Sequence, residues 1–359
     1  MKIAILSMQR VTNFGSVLQA YSLRQMIEDV TGERVEFIDI EEDYICPSKK
    51  SITSDSDCTE PEVLSRDIFS RAKRWTNTRL SSWNKRKIYK FMTDTLQLTE
   101  NNCNAYDVVV VGSDEVLNHR GGVNLQLHGA VKRAGRVITY AASCGSAIIE
   151  DIAVEDRTRV REALGNFSAV SVRDEVTKEY LQQMYDGDIH HHLDPVLVGN
   201  LGRMEHRRVP IKNYLLVYAY GHRIRNPKEI EFIQQYAKEK GLKTVAIGGS
   251  QTWCDMYIPV SPFRAMDYFY HADAVVTDTF HGSIFSVIHH KKFAVIMRRS
   301  NRGKLSSLLK DLELEERIVP EMEMLKGVLD REIQYDAVDE TIEKERMRTC
   351  EYLRENLKG

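Results

Sequence analysis

Short apolar runs that stop abruptly at polar residues recur along this chain and restrict the folds open to it. The run Asp107–Val111 gives way to Gly112–Asp114, and the run Ala274–Val276 gives way to Thr277–Thr279. Short apolar runs separated by segments with helical periodicity predict buried strands of a parallel sheet. Ligands commonly bind beyond the carboxyl ends of such strands, so the polar residues there are candidates for a functional site.

The N-terminal segment contains one complete strand–helix–strand unit. Lys2–Leu6 predicts a strand, Val17–Val30 predicts a helix that stops at Gly32, and Val35–Ile40 predicts a second strand. Two strands joined in this way form a right-handed crossover within a parallel sheet. The polar bend Asn13–Ser16 between the first strand and the helix is therefore expected to be a binding loop.

The length of the chain predicts two domains. A chain of 359 residues exceeds what one hydrophobic core usually organises, and clefts between domains are common ligand sites. A new cycle of strands and helices begins at Tyr214, after a segment rich in Arg, Gly and His. We predict two doubly wound Rossmann-like α/β domains facing a cleft, at residues 1–205 and 206–330, with a polar and basic insertion at about 42–95. The charged segment 331–359 has helical periodicity and is expected to pack back on the first domain.

The composition argues against several classes of protein. A formal net charge of −2 with dispersed basic residues argues against nucleic-acid binding. No segment approaches the roughly 20 apolar residues of a transmembrane helix, and the N-terminal apolar run is too short for a signal peptide, so we expect a cytoplasmic protein. The cysteines lack the spacing of a zinc site or a disulfide framework and are expected to be free thiols: Cys46, Cys58, Cys103, Cys144, Cys254 and Cys350.

The junction from Thr277 to Ser283 is the strongest candidate site. There a buried strand precedes a helix predicted over Ser283–His290, and the unpaired N–H groups and dipole of a helix start favour an anion. His281 has a side chain that can donate a proton or a hydrogen bond to such a ligand. In the alternative interpretation, Thr279 or Asp278 caps the helix and His281 is a packed core side chain. The spacing leaves both interpretations open.

Two other strand ends carry charged candidates. Arg173 follows the run Ala169–Val172 and has the planar guanidinium that binds phosphate or carboxylate, although such arginines more often pair with neighbouring acids. Asp114 is either a base or hydroxyl ligand, or the N-cap of the next helix. No metal site is expected, because the adjacent side chains of His190–His192 alternate between two faces of an extended segment. The GxGxxG, Walker and GxSxG motifs are absent.

Six motifs, taken in order, resemble the polysaccharide pyruvyl transferase family. The resemblance extends from residue 1 to about 317 and rests on Asn13–Tyr21, Val111–Asp114, Tyr140–Ser143, Ser171–Asp174, Leu193–Pro195 and Thr277–Ser286. It implies a two-domain, GT-B-like fold and transfer of the pyruvyl group of phosphoenolpyruvate to sugar hydroxyls, with a pyruvate ketal formed and phosphate released. It implies no metal or organic cofactor.

The resemblance also implies roles for individual residues. His281 corresponds to a histidine proposed as general acid, and Arg173 to an arginine that contacts the donor. Asp114 lies on a strand-end motif of the family and is expected to act on the sugar hydroxyl as base or orienting group. The donor-binding candidates are Arg173, Thr279, Phe280, His281, Gly282 and Ser283, and the acceptor-binding candidates are Asn13, Gly15, Ser113, Asp114 and Ser143.

One position departs from the family pattern. Some members carry an arginine two residues before the histidine, where this chain has Thr279. The missing positive charge is then expected from Arg298, Arg299 or Arg302, or else the donor differs.

Two other functions stay open from the sequence. A GT-B nucleotide-sugar glycosyltransferase would use a similar pair of domains, and a non-catalytic sugar- or phosphate-binding protein would bind its ligand without turnover. The pyruvyl transferase interpretation predicts phosphoenolpyruvate and a sugar acceptor as partners. A lipid-linked acceptor would bring the protein to the inner face of the membrane as a peripheral protein.

Overall fold

A computed structural model of the chain describes residues 1–41, 44–45, 68–100, 104–119, 121–221 and 223–358. The polar insertion is predicted over about residues 42–95, and most of its first part, residues 42–67, lies outside the described residues. Cys46, Cys58 and Cys103 also lie outside them. Cys144, Cys254 and Cys350 are free thiols.

The described strands form two parallel sheets and one short antiparallel pair. In chain order they are β1 (Ile3–Leu6), β2 (Val35–Phe37), β3 (Tyr44–Ile45), β4 (Tyr106–Asp114), β5 (Val123–Asn124), β6 (Ala134–Ala142), β7 (Phe167–Val172), β8 (Ile189–His191), β9 (Tyr214–Ala219), β10 (Lys243–Gly248), β11 (Met256–Tyr257), β12 (Ala274–Thr277) and β13 (Lys292–Val295). The first sheet has the order β2-β1-β4-β6-β7-β8, the second has the order β11-β10-β9-β12-β13, and β3 pairs with β5.

Helices connect these strands, as the alternating sequence pattern predicts. They are α1 (Phe14–Thr31), α2 (Ile68–Asp94), α3 (Val154–Leu164), α4 (Glu175–Gln182), α5 (Pro195–Val198), α6 (Pro227–Glu239), α7 (Pro262–His271), α8 (Phe280–Ile288), α9 (Arg302–Asp311), α10 (Leu325–Asp330) and α11 (Tyr335–Leu357). The predicted doubly wound α/β architecture is confirmed. The division into domains at residues 205 and 206 stays a prediction, although the two sheets lie on either side of it.

Each sheet has a point where the strand order reverses, and this fixes where ligands can bind. The chain leaves β1 for β2 on one side and returns to β4 on the other, and it leaves β9 for β10 and returns to β12 in the same way. Adjacent loops diverge at such switch points and leave a crevice outside the carboxyl ends of the strands. The β1–β4 and β9–β12 crevices are therefore the two positions where the fold itself creates a site.

A continuous apolar core joins the two sheets through the helices between them. Helix α1 packs against α7, and α5 packs against α8. Leu18 and Leu23 of α1 belong to the same buried cluster as Phe269 of α7 and Phe285 of α8. Burying each such side chain contributes about 1.5–3 kcal/mol. This shared core sets the starts of α1 and α8 close to each other.

Helix α11 packs back on the first sheet, as predicted. It contacts α1 and α5, and the hydroxyl of Tyr352 donates a hydrogen bond of 2.8 Å to the carbonyl of Thr139 in β6. The three histidines at β8 alternate as expected. The rings of His190 and His192 lie against Tyr352, whereas His191 lies on the other side, with Nε2 3.5 Å from Oδ2 of Asp311. In the part of the chain that the structure describes, no helix is both long and apolar enough to cross a membrane.

Candidate active site

A cleft of about 620 Å³ lies where the two switch points face each other. Its walls come from the loops that follow β1 and β4 in the first sheet and β9, β10 and β12 in the second. One cleft-lining residue from each of these five strand ends illustrates the arrangement: Asn13, Asp114, Tyr220, Gly248 and His281. The cleft therefore contains residues from both halves of the chain, as the sequence predicts.

The start of α1 forms one wall. Asn13 is the N-cap, and its side-chain oxygen accepts a hydrogen bond of 2.7 Å from the amide of Ser16. The amides of Phe14 and Gly15 precede that capped position, and a helix offers no intrahelical acceptor to its first amides. The predicted helix Val17–Val30 thus begins three residues earlier, because Asn13 acts as a cap and not as part of a bend.

The start of α8 forms the facing wall in a parallel way. Thr279 is the N-cap, and its hydroxyl accepts a hydrogen bond of 3.0 Å from the amide of Gly282. The amides of Phe280 and His281 stand at the first two helical positions, where a helix has no acceptor for them. The capping alternative raised from the sequence is therefore correct for Thr279, and α8 again starts three residues before the predicted Ser283.

His281 connects the two helix starts. It lines the cleft, with 12% of its side chain exposed. A Cβ atom at Gly15 would overlap the imidazole ring, so the first turn of α1 can approach this closely only with glycine there. Gly15, predicted to bind the acceptor, thus has a clear structural role, because it makes room for the histidine.

A buried carboxylate stands behind His281. Oδ2 of Asp194 lies 3.7 Å from Nε2 of His281, which is an ion-pair distance but too long for a hydrogen bond. The same oxygen accepts a hydrogen bond of 2.8 Å from Nη1 of Arg173, and Oδ1 accepts one of 3.0 Å from the amide of Val196. In the sequence, Asp194 was singled out only as part of the motif Leu193–Pro195, and its place behind the histidine was missed.

Asp114 reaches the cleft from the end of β4. Its Oδ2 accepts a hydrogen bond of 2.7 Å from the hydroxyl of Ser16, and its Oδ1 accepts one of 3.2 Å from Nη2 of Arg173. Burial by itself would raise the pKa of Asp114 and of Asp194, but Arg173 and His281 outweigh burial and lower both pKa values below the usual range. Both carboxyls are therefore ionised at neutral pH.

Arg173 does not contact the cleft as predicted. Its side chain is 1% exposed and lies between the carboxylates of Asp114 and Asp194. The ring of Phe280 covers the guanidinium, with a distance of 4.4 Å from Cζ to the ring centroid. The structure places Arg173 behind the cleft walls, enclosed by its partners, and its predicted contact with the donor stays a prediction. It positions two carboxylates instead.

The structure also corrects the predicted roles of Gly282 and Ser283. The amide of Gly282 is bonded to the hydroxyl of Thr279, and the amide of Ser283 donates to the carbonyl of Thr279 at 3.3 Å. Neither residue is among those that line the cleft. An anion at this helix start would meet the amides of Phe280 and His281 instead.

The structure places Ser113 and Ser143, two predicted acceptor-binding residues, away from the cleft. Both are fully buried and lie outside the cleft walls. The hydroxyl of Ser113 donates to Oε1 of Gln19 at 2.8 Å, and the hydroxyl of Ser143 donates to Oδ2 of Asp174 at 2.7 Å. Buried polar groups need such partners, so these two serines tie strand ends to helices.

Comparison with known proteins identifies the family. The model of the polysaccharide pyruvyl transferase family matches residues 13–300 of the chain. The chain belongs to this family. It is accordingly a transferase that acts on polysaccharide. No curated protein matches the sequence.

Solved structures with a similar fold share little sequence with this pyruvyl transferase family member. A putative UDP-N-acetylglucosamine 2-epimerase from Listeria monocytogenes has 12% identity and a TM-score of 0.50, covering 97% of this chain and 94% of its own. The UDP-GlcNAc 2-epimerase of Methanocaldococcus jannaschii has 13% identity, a TM-score of 0.48 and coverage of 98% and 99%. The glycosyltransferase SnogD from Streptomyces nogalater has 10% identity, a TM-score of 0.45 and coverage of 99% and 98%. The Listeria likeness, together with the two facing sheets, supports the predicted GT-B-like fold.

In this family member the basic residues of the cleft are not the arginines that were expected to supply the positive charge missing at Thr279. The guanidinium of Arg298 donates hydrogen bonds of 2.7 and 2.9 Å to the carboxylate of Glu229 and one of 3.1 Å to Oδ2 of Asp278. Its role is therefore structural. Arg299 and Arg302 are exposed and lie outside the cleft walls. Among the residues that the structure describes, the lysine and arginine side chains lining the cleft are those of Arg223 and Lys304.

Sequence reasoning missed these two residues for different reasons. Arg223 follows the buried strand Tyr214–Ala219, which is the same strand-end position that singled out Arg173, but the segment was considered only as a domain junction. Lys304 lies in the first turn of α9 and has no such signal. It forms an ion pair with Glu115, and its Nζ lies 5.9 Å from the centroid of the Phe280 ring. Across the described ranges, no group of three or more His, Cys, Asp or Glu side chains is arranged to hold a metal ion.

Proposed function

We propose that this family member transfers the pyruvyl group of phosphoenolpyruvate to sugar hydroxyls of a polysaccharide precursor, forming a pyruvate ketal and releasing phosphate. The observation that carries the proposal is the position of His281 on the cleft wall between two helix starts. The donor is an anion with a phosphate and a carboxylate, and the first amides of α8, beside His281, offer a place for an anionic group. No cofactor is required for this chemistry.

In this mechanism His281 is the general acid. Its imidazolium donates a proton to C3 of phosphoenolpyruvate, and C2 becomes an oxocarbenium-like centre. Asp194 supplies a buried carboxylate 3.7 Å from Nε2 to pair with the imidazolium form. Proton donation by a positioned side chain contributes about 10²–10⁴-fold to the rate.

The acceptor then reacts at C2. One sugar hydroxyl attacks C2 and loses its proton to water, which gives a phosphate-bearing tetrahedral adduct. A second hydroxyl then bonds to C2 as the C2–O bond to phosphate breaks, its proton leaves with the phosphate, and the ketal ring closes. Asp114 lies on the wall formed by the first sheet, where it orients the hydroxyl. The lowered pKa of its carboxyl favours this orienting role over lasting acceptance of a proton.

The proposed donor side is therefore the second sheet, with Thr279, Phe280 and His281 at its helix start. The acceptor side is the first sheet, with Asn13, Gly15 and Asp114. All six residues line the cleft.

Phosphate release tests the proposal. The assay supplies phosphoenolpyruvate with a panel of lipid-linked or aryl galactosides, glucosides and mannosides, and mass spectrometry identifies the product. His281→Asn should lower the rate about 10²–10⁴-fold. The matched control is His290→Asn, since His290 is half exposed at the far end of α8. Equal rates for both variants, or release of a nucleotide from a nucleotide sugar in place of phosphate, would contradict the proposal.

We further infer that the acceptor is lipid-linked and that the enzyme works as a peripheral protein at the inner face of the membrane, in capsule or exopolysaccharide synthesis. Support comes from α2, whose Asn84 and Ile88 line the cleft. The opposite face of the helix exposes Trp83, Arg86 and Lys90. Basic residues near an anionic membrane surface contribute about 1 kcal/mol each.

Vesicle sedimentation tests this location. A variant carrying Arg86→Glu and Lys90→Glu should bind anionic phosphatidylglycerol vesicles more weakly than the wild type. Lys344→Glu, on the exposed part of α11, is the control. Sedimentation of all three proteins to the same extent would contradict the membrane location.

A further inference from the structure

Arg223 lines the cleft and has no role in the proposed mechanism. It lies in the loop that follows β9, and only 7% of its surface is exposed to solvent. Nη1 donates to the carbonyl of Asp278 at 3.3 Å, and Nη2 donates to the hydroxyl of Ser300 at 3.2 Å. The guanidinium also lies 5.1 Å from the centroid of the Tyr220 ring. The side chain is thus held in one place.

That place is the positive end of a helix. Asp278 directly precedes Thr279, the N-cap of α8, so the guanidinium is bonded to the residue next to that cap. A cation near a helix N-terminus meets an unfavourable field, since the dipole there carries a partial positive charge. Largely buried cations are also costly to desolvate. The carboxyl of Asp278 is one acidic group close to Arg223, and an anion bound in the cleft at the helix start would add a second favourable partner.

The surroundings of Arg223 supply further hydrogen-bond donors. Ser300, Asn301 and Lys304 line the same part of the cleft, and Nδ2 of Asn301 donates to the Asp278 carbonyl at 2.6 Å. Arg223 and Lys304 bring two cationic side chains to the walls of one cleft, and a phosphate dianion, with oxygens in several directions, can interact with more than one cation. This part of the cleft is therefore suited to phosphate.

The sequence departure at Thr279 has a physical explanation in the same arrangement. Its hydroxyl caps α8 and bonds with Thr277 at 3.0 Å, so position 279 contributes a helix cap and no charge. Arg223 reaches the same helix start from a neighbouring strand of the same sheet, since β9 pairs with β12.

We propose that Arg223 binds the phosphate group of the donor at the start of α8 and supplies the positive charge that position 279 lacks. This inference rests on the proposed function for the identity of the donor. It assigns specificity for a phosphorylated donor to a residue of the β9 loop.

Calorimetric titration without acceptor tests the assignment. The ligands are phosphoenolpyruvate, inorganic phosphate and pyruvate, which lacks the phosphate group. Arg223→Ala should weaken binding of phosphoenolpyruvate and inorganic phosphate at least about tenfold, as expected for a lost charge-assisted bond, and change pyruvate binding little. Arg223→Lys should fall between the wild type and Arg223→Ala. Arg225→Ala is the matched control, since Arg225 is exposed on the same loop and outside the cleft walls.

A double variant provides an independent check. Adding Thr279→Arg to Arg223→Ala should recover part of the phosphoenolpyruvate affinity if both positions serve one phosphate. Arg223→Ala binding phosphate as tightly as Arg225→Ala would overturn the inference, and so would a wild-type protein that binds no phosphate. A protein that binds phosphate through Arg223 yet turns over no phosphoenolpyruvate would support this inference and overturn the proposed function.

Discussion

The starts of α1 and α8 are alike in backbone but opposite in charge. Each follows a strand at a switch point, each is capped by a polar side chain, Asn13 or Thr279, and each presents two amides without intrahelical acceptors. Near α1 the charged cleft residues are the acids Asp114 and Glu115, with Lys304 from the other side paired to Glu115. Near α8 they are His281 and Arg223.

This difference explains how one cleft can bind two unlike substrates. Carboxylates accept hydrogen bonds from neutral hydroxyls and repel anions, so the α1 side fits a sugar. An imidazole and a guanidinium beside a helix start attract anions, so the α8 side fits a phosphorylated donor. Arg173 connects the two sides, because it bonds to Asp114 on one and to Asp194 behind His281 on the other.

The largest expected effect comes from breaking that connection. Arg173→Gln leaves two buried carboxylates without their cation, and removing one partner of a buried ion pair costs about 3–5 kcal/mol. Urea denaturation should show this loss of unfolding free energy, whereas the exposed Arg225→Gln should change it little. An unchanged free energy for Arg173→Gln would mean that the two sides are not coupled through this residue.

A smaller effect on stability but a clear effect on catalysis is expected from Gly15→Ala. The added Cβ would overlap the His281 ring, so the ring must move and the rate of phosphate release should fall at least about tenfold, in line with the cost of misplacing a catalytic group. Gly327→Ala in α10, where a Cβ meets nothing within 4 Å, should leave the rate unchanged. Equal rates for the two variants would show that Gly15 does not determine the position of the His281 ring.

Acid titration sharpens the assignment of the buried carboxylates. The pKa of Asp194 is lowered in the folded protein, against burial, by His281 and Arg173. The stability it contributes is therefore present above the unfolded value of about 3.9 and is lost as the pH falls below that value. Asp194→Asn should be less stable than the wild type at pH 7, and thermal unfolding should show the difference shrinking below about pH 4. A difference that stays constant with pH would argue against this pairing.

The smallest effect concerns the cap of α8. Thr279→Ala removes the hydroxyl that accepts from Gly282, and loss of such an N-cap costs about 1 kcal/mol. Thr279→Ser keeps the acceptor and should be nearly neutral in the same denaturation measurement. If Thr279→Ala also left the free energy of unfolding unchanged, the hydroxyl would not act as a cap and would be available to a ligand.

Much of the fold could be predicted from the pattern of apolar runs. The strand ending at Thr277 and the helix end at Gly32 follow from short buried runs and from helix signals that are local in sequence. Both site helices were predicted to start too late, since the first turn of α1 holds Gly15 and Ser16 and that of α8 holds Gly282. Weak helix formers in a first turn conceal a cap that only the tertiary structure reveals.

The candidate site was predicted better in position than in detail. Asp114 and His281 lie on the cleft as expected, but strand-end position cannot tell whether a side chain faces the cleft or turns inward. Arg173 turns inward because two carboxylates distant in sequence meet it there, and Ser143 does so because Asp174 accepts its hydroxyl. Partners separated by tens of residues leave no periodic signal, which is also why Lys304 was missed.

The most direct test of the central claim, that His281 protonates phosphoenolpyruvate between these two helix starts, is turnover in deuterium oxide. Mass spectrometry of the product should show a pyruvyl methyl group with one deuterium from solvent, formed with release of one phosphate. His281→Asn should form this product far more slowly, and His290→Asn at the wild-type rate. A product without solvent deuterium in its methyl group, or equal rates for the wild type and His281→Asn, would contradict the account.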